Sequence, residues 1–210
     1  MGQLNYNDPF ICIVGSPNVE EREASYQSAR QISWCLGEMN FNVITGGGYG
    51  IMEAACRGAN DASMISVGLN TDPDTVVGSN PYVDESLNHL DMDSRRRILA
   101  DSSLGVVILT SDFDRFHSLI RMLPLTDCGM FAKIPIVVFG IDADVDVQNL
   151  TEKMLELGLV GEEHDGLLMF TNSVQEAVHH IKKKVVIPMS FLQELLTPWW
   201  LKILISLFRS

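Results

Sequence analysis

The stretch Asn42-Val43-Ile44-Thr45-Gly46-Gly47-Gly48-Tyr49-Gly50-Ile51-Met52-Glu53-Ala54-Ala55 leaves the chain few choices. An apolar run enters four glycines, and the glycines open a helical pattern. Glycine lets the backbone turn and approach a partner closely, with no Cβ in the way. The first N–H groups of the following helix, at the positive end of its dipole, then face an anion. A glycine-rich turn means little alone. Between a strand and a helix it predicts a phosphate-holding loop, against the plainer alternative of a tight turn without ligand.

The flanking pattern repeats the same alternation. Residues 10–14 are continuously apolar, as in a parallel strand covered on both faces, and Gly15-Ser16-Pro17 ends it. Asn18 with Glu21 resembles a capping box, predicting a helix in which Ala29, Ile32, Leu36 and Met39 share one face. Strands are expected at 41–45, 65–69, 104–109, 134–140 and 167–171. Helices are expected after the glycines, with Ala55, Gly58, Ala59 and Ala62 on one face, and at 92–103, 112–123, 147–157 and 173–184. Residues 70–91 read as a long irregular connection, the kind that often carries function. Alternating strands and helices imply an α/β fold, a doubly wound parallel sheet with helices on both faces. Right-handed crossovers place its ligand crevice at the carboxyl ends of the strands, where Gly15 and residues 46–50 both fall.

Bulk properties narrow the partners. At 210 residues one domain is the default, here 1–187, followed by an apolar tail at 188–210. The formal net charge of −12 argues against a nucleic-acid partner, which needs clustered Lys and Arg. Cys12, Cys35, Cys56 and Cys128 are widely spaced and read as reduced thiols of a cytoplasmic protein. No metal-ligand spacing and no export signal are evident, and no cofactor is expected. The tail, with Trp199 and Trp200, is too short in its apolar run to span a bilayer. It reads either as a helix packed on the domain or a partner, or as an interfacial membrane helix with Lys202 and Arg209 at the surface.

Several stretches resemble the LOG family of Rossmann-like proteins. They are Ile11-Cys12-Ile13-Val14-Gly15-Ser16, the segment from Ile44 to Ala55, Val67-Gly68-Leu69-Asn70, Asn80-Pro81-Tyr82-Val83-Asp84, the strand from Lys133 to Gly140, and Glu156-Leu157-Gly158-Leu159. The likeness covers roughly residues 10–182. Many LOG proteins are nucleoside 5′-monophosphate phosphoribohydrolases, also described as lysine decarboxylase-like. The resemblance implies a flavodoxin- or Rossmann-like sheet, a homodimer and a crevice for a small-molecule nucleotide.

The family's second signature, Pro-Gly-Gly-x-Gly-Thr-x-x-Glu, departs here. Aligned on the fourth strand, this chain has Thr110-Ser111-Asp112-Phe113-Asp114-Arg115-Phe116-His117-Ser118. The catalytic glutamate falls on Ser118, and the Arg-Lys pair that precedes it in the family falls on Arg95-Arg96. Asp112 and Asp114 bring carboxylates to where a phosphate would sit, and like charges in a partly dry site cost on the order of a few kcal/mol. His117 lies about 100° around a helix from position 118, a poor replacement base. The resemblance gives Arg95 as the catalytic candidate. Gly15, Ser16, Gly46, Gly47, Gly48, Tyr49, Gly50, Met52 and Arg96 are the nucleotide- or phosphate-binding candidates. Glu53 is expected to touch a ligand or nearby backbone, and the run Arg95-Arg96-Arg97 reads equally as a solvated face. The combined expectation is a nucleotide-binding member with impaired catalysis. Its alternatives are an active phosphoribohydrolase and a scaffold docking through 188–210.

Overall fold

The computed structural model describes residues 9–70, 79–87, 98–99, 102–109, 134–140 and 166–185. Seven strands form one sheet: β1 Phe10–Gly15, β2 Asn42–Thr45, β3 Ser66–Leu69, β4 Glu85–Leu87, β5 Ser103–Leu109, β6 Ile136–Phe139 and β7 Leu168–Thr171. Their spatial order is β4-β3-β2-β1-β5-β6-β7, and every neighbouring pair is parallel. The chain winds outward from β1 through β4, then crosses back to β5 and winds the other way. The reversal falls between β1 and β5, and such a switch point opens a crevice beyond the carboxyl ends of its strands.

Three helices are described in full: α1 Ala24–Gly37, α2 Ile51–Asp61 and α3 Val174–Lys184. They cover one face. Ile11, Ile13, Val43, Val107, Leu109, Val137 and Phe139 alternate toward Tyr26, Ala29, Ile32 and Leu36 of α1, Ala54, Ala55 and Ala59 of α2, and Ala177, Val178 and Ile181 of α3. The other face buries Phe10, Cys12, Ile44, Val67, Leu69, Val106, Ile108, Ile136 and Val138 with Leu99, a helical residue just before β5. The doubly wound reading is therefore what the chain adopts. Each fully buried large aliphatic or aromatic side chain contributes roughly 1.5–3 kcal/mol, so the two faces carry most of the stabilisation.

The small residues of α2 do the work their spacing implied. A Cβ on Gly58 would collide with the Arg30 carbonyl oxygen and lie 2.8 Å from the Ser33 Cβ, so α1 and α2 touch almost backbone to backbone. Ser33 Oγ donates to the Ala55 carbonyl oxygen at 2.6 Å across this contact. Ala62 lies one residue beyond the helix, as its C-cap.

Four local expectations need correction. The Asn18/Glu21 capping box does not form, and α1 starts at Ala24 with Glu23 as N-cap. Glu20 N–H donates to the Glu23 carboxylate at 2.7 Å and Asn18 N–H to Ser16 Oγ at 3.2 Å, holding the intervening turns, while Glu21 pairs with Arg57 at 2.5 Å. Residues 70–91 contain β4, a strand too short and polar to signal itself. The helix expected to reach residue 103 stops earlier, because β5 begins at Ser103. Ile65 is exposed and lies outside β3. Cys12, Cys35 and Cys56 are free thiols. The helices expected at 112–123 and 147–157, Cys128 and the tail at 188–210 lie outside the described residues, where the boundary at 187 also falls.

Candidate functional site

β2 delivers the glycines to the carboxyl edge of the sheet, one strand from the switch point. Each glycine there has a distinct task. Gly15 ends β1 opposite Leu109 in register. A Cβ on it would lie 2.6 Å from both the Leu109 carbonyl oxygen and Ile51 Cγ2. Gly47 has φ +75°, and its pro-Cβ direction is filled by Asn70 Oδ1. Gly50, the N-cap of α2, has φ 64° and ψ −123°, a region that only glycine occupies comfortably. A Cβ there would run into the Ser16 carbonyl oxygen and lie 2.8 Å from the Pro17 backbone. Gly48 differs. Its φ is not positive, and a Cβ would meet only the mobile end of Met52, with Cε at 2.8 Å. Gly48 is half-buried and Tyr49 exposed, so these two residues face outward from the loop.

The loop is fastened on three sides. Thr45 Oγ1 accepts from Gly47 N–H at 3.0 Å. The Ser16 carbonyl accepts from Ile51 N–H at 2.9 Å, joining the two glycine-bearing loops and using one free donor of α2. Asn80, only 2% exposed, donates through Nδ2 to the carbonyl oxygens of Gly47 at 3.2 Å and Gly48 at 2.8 Å. Its own N–H donates to the Gly47 carbonyl at 2.9 Å, and its Oδ1 accepts from Tyr82 N–H at 3.0 Å. Beneath the loop, Cys56 Sγ lies 3.5 Å from Thr45 Oγ1 and 3.7 Å from Asn80 Nδ2. Burial pushes the Cys56 thiol up, only partly offset by the hydrogen bonds of Thr45, Asn80 and Ser66, so it stays protonated and unreactive.

Among the described residues, the N–H groups of Gly48, Tyr49, Gly50, Met52 and Glu53 have no protein acceptor. This is the donor set that a helix start and its preceding loop offer an anion. The Glu53 side chain takes no part in it. Its carboxylate accepts from the Tyr26 hydroxyl at 3.3 Å, so its partner is a side chain of α1 and not nearby backbone. Burial raises the Tyr26 phenol above its usual range, against the lowering effect of Arg57. Arg57 itself is held above its ordinary value by Tyr26 and by Glu21, and its guanidinium lies 5.3 Å from the Tyr82 ring centre.

Of the residues expected at the site, Gly15, Ser16, Gly46, Gly47, Gly48, Tyr49, Gly50 and Met52 gather around one loop. Arg95, Arg96, His117 and Ser118 lie outside the described residues. Asn80 had appeared only as part of a family likeness. Its task left no local trace, because the loop carbonyls it holds lie 33 and 32 residues away. Among the described residues, no group of three or more His, Cys, Asp or Glu side chains is placed to hold a metal ion. No helix among them is long and apolar enough to cross a membrane. A cavity of about 650 Å³ lined by Leu168, Met169, His179, His180, Lys183 and Lys184 lies against β7 and α3, at the edge of the sheet opposite β4.

A parallel sheet reversing beside a glycine-lined helix start defines a Rossmann-like α/β protein. The chain belongs to the SLOG cluster4 family, whose model matches residues 8–113. That match ends inside the stretch aligned with the second LOG signature, and the finer LOG assignment does not follow from it. No curated protein matches the sequence. Among solved structures, the chain is similar to the molybdenum cofactor carrier protein of Chlamydomonas reinhardtii, with a TM-score of 0.62 at 20% identity over 84% of this chain and 97% of that one. It is also similar to the molybdenum cofactor binding protein of Rippkaea orientalis, with a TM-score of 0.60 at 18% identity over 84% and 96% of the two chains. A third is DNA processing protein A of Helicobacter pylori, described with a single-stranded DNA binding mode, at a TM-score of 0.57 and 16% identity over 88% and 86%. At these identities the likeness establishes the fold alone.

Proposed function

We propose that this protein binds the phosphate of a nucleoside monophosphate, or of a related phosphoribosyl ligand, at residues 46–52, and that it does so without hydrolysing it. The observation that carries this reading is the fastened glycine loop at the carboxyl edge beside the switch point, with five consecutive or near-consecutive N–H groups left without acceptors. Impaired catalysis rests on the sequence. Ser118 stands where the LOG pattern has its glutamate, and a serine hydroxyl cannot act as the base that activates water at neutral pH. In this reading the chain is a divergent LOG-like member that senses or carries its ligand. Arg96 assists the phosphate, Arg95 keeps the place of a former catalytic group, and the unit is a cytoplasmic homodimer.

The neighbours supply competing ligand classes. Two are named for the molybdenum cofactor, and one for single-stranded DNA. Net acidity disfavours the DNA class, since a strand needs a track of cations.

A thermal-shift panel separates these readings. It takes AMP and the other monophosphates, inorganic phosphate and a short single-stranded oligonucleotide, with a parallel assay for free base. A ligand present at a hundred times its Kd adds about 2.7 kcal/mol, or roughly 5–10 °C for a chain of this size. A rise with monophosphates and no base release supports the proposal. Base release above the blank replaces it with an active phosphoribohydrolase, and a rise with the oligonucleotide alone replaces it with DNA binding. No rise with any of them sinks it.

A further inference from the structure

We infer that Asn80 is the positioning residue of this site: its backbone N–H and side-chain amide hold the Gly47 carbonyl, its side chain holds the Gly48 carbonyl, and two loop N–H groups are thereby turned outward for an anion. Asn80 is too buried to meet a ligand, and both its amide and its carbonyl are committed inside the protein. What it does is fix two successive peptide planes. The described backbone contains no cis peptide bond. In a trans peptide the carbonyl and the following N–H point in opposite directions. Drawing the Gly47 carbonyl toward Asn80 therefore turns Gly48 N–H away from it. Drawing in the Gly48 carbonyl does the same for Tyr49 N–H. These are two of the N–H groups without acceptors, in the stretch where Gly48 is half-buried and Tyr49 exposed. Successive N–H groups turned to one side form an anion-binding concavity.

The alternative role, a plain tether for residues 79–87, is filled by others. Asn60 Nδ2 donates to the Tyr82 carbonyl at 3.0 Å, and Asp84 accepts from Ser66 N–H and Ser66 Oγ, both at 2.9 Å. Asn80 donates directly to the Gly47 and Gly48 carbonyls of the glycine loop. The loop half of this inference stands by itself; the ligand half rests on the function proposed above.

The test uses the full chain labelled with ¹⁵N. In the wild type, Gly48 and Tyr49 amides are expected to exchange with solvent at least tenfold faster than Gly47, whose N–H is bonded to Thr45. Exchange as slow as that of Gly47 overturns the inference before any mutation is made. Asn80→Ala and Asn80→Ser keep the backbone bond to the Gly47 carbonyl, so they are expected to displace the Tyr49 resonance more than that of Gly48 and to weaken AMP at least tenfold. Asn60→Ala, which cuts only the tether, is expected to leave the AMP Kd within twofold. Equal weakening by Asn60→Ala, or AMP binding within twofold of wild type in the Asn80 variants, overturns the proposal. If wild type binds no AMP, the nucleotide reading falls, and the amide exchange and resonance shifts still decide the role of Asn80.

Discussion

Gly15 and Leu109 meet backbone to backbone at the switch point, with no room for a methyl between the end of β1 and the Leu109 carbonyl oxygen. The same missing methyl admits the Ile51 side chain, so the first residue of α2 is seated on the strand ends. The floor of the crevice is thus closed by packing, and residues 48–52 form the rim beside it. The glycines accordingly divide into those the fold requires and one that it does not.

Gly50→Ala and Gly48→Ala should separate cleanly. Alanine at position 50 must adopt a positive φ and collide with Ser16, costing about 1–3 kcal/mol in strain alone. Alanine at position 48 displaces only the end of Met52, so stability changes by no more than about 0.5 kcal/mol. Chemical denaturation reads both. The Gly48 variant should nonetheless lose the thermal rise that AMP gives the wild type, because its methyl occupies the approach to the loop.

Removing the Asp84 carboxylate orphans the N–H of the fully buried Ser66, whose hydroxyl keeps the Tyr82 carbonyl as its acceptor. An orphaned buried donor costs about 1–3 kcal/mol, and Asp84→Ala should lose that much. Hydrogen exchange should accelerate in β4 first, since β3 to β4 is the pairing that Asp84 fastens. Equal acceleration in β6 would contradict this assignment.

Alkaline pH should weaken the fold in two stages. Burial raises both the Cys56 thiol and the Tyr26 phenol above their unfolded values. A raised folded pKa means stability is intact below the unfolded value and is lost as pH climbs toward the folded one. Cys56 therefore acts from about pH 8.5 upward and Tyr26 from about pH 10 upward. Cys56→Ala should flatten the first limb of a stability–pH curve and Tyr26→Phe the second. A curve unchanged by both substitutions would refute the assignment.

Between α1 and α2, packing should outweigh charge. The Arg30–Asp61 ion pair is half-exposed at 2.6 Å, and Asp61→Asn should cost less than about 1 kcal/mol. Gly58→Ala gains about 1 kcal/mol of helix propensity, but it drives a methyl into the Arg30 carbonyl. Overpacking of this kind costs about 1–3 kcal/mol or more, because backbone must move. A net loss is expected in thermal unfolding.

The sequence made the sheet legible where signals were local. Continuous apolar runs announced β1, β5 and β6, and the helix expected at 173–184 forms as α3, with Ser173 as the N-cap that accepts from Glu176 N–H at 3.3 Å. Glycines between β2 and α2 announced the strand-to-helix loop. What escaped was set by distance along the chain. Glu21 reads as a capping residue until Arg57 is seen across the α1–α2 contact. Glu85-Ser86-Leu87 has no apolar alternation, and only pairing with β3 makes it a strand. Asn80 looks like any turn asparagine before a proline, until the loop it holds is brought to it by the crossover from β2 to β3.

The brevity of β4 has a consequence for life at high concentration. A sheet that is parallel throughout ends in a row of unpaired backbone groups, an invitation to any extended chain nearby. Among the described residues, the strand on that flank is three residues long and begins with a glutamate. So short and charged a margin offers a stranger too few bonds to dock, which discourages edge-to-edge assembly on that flank.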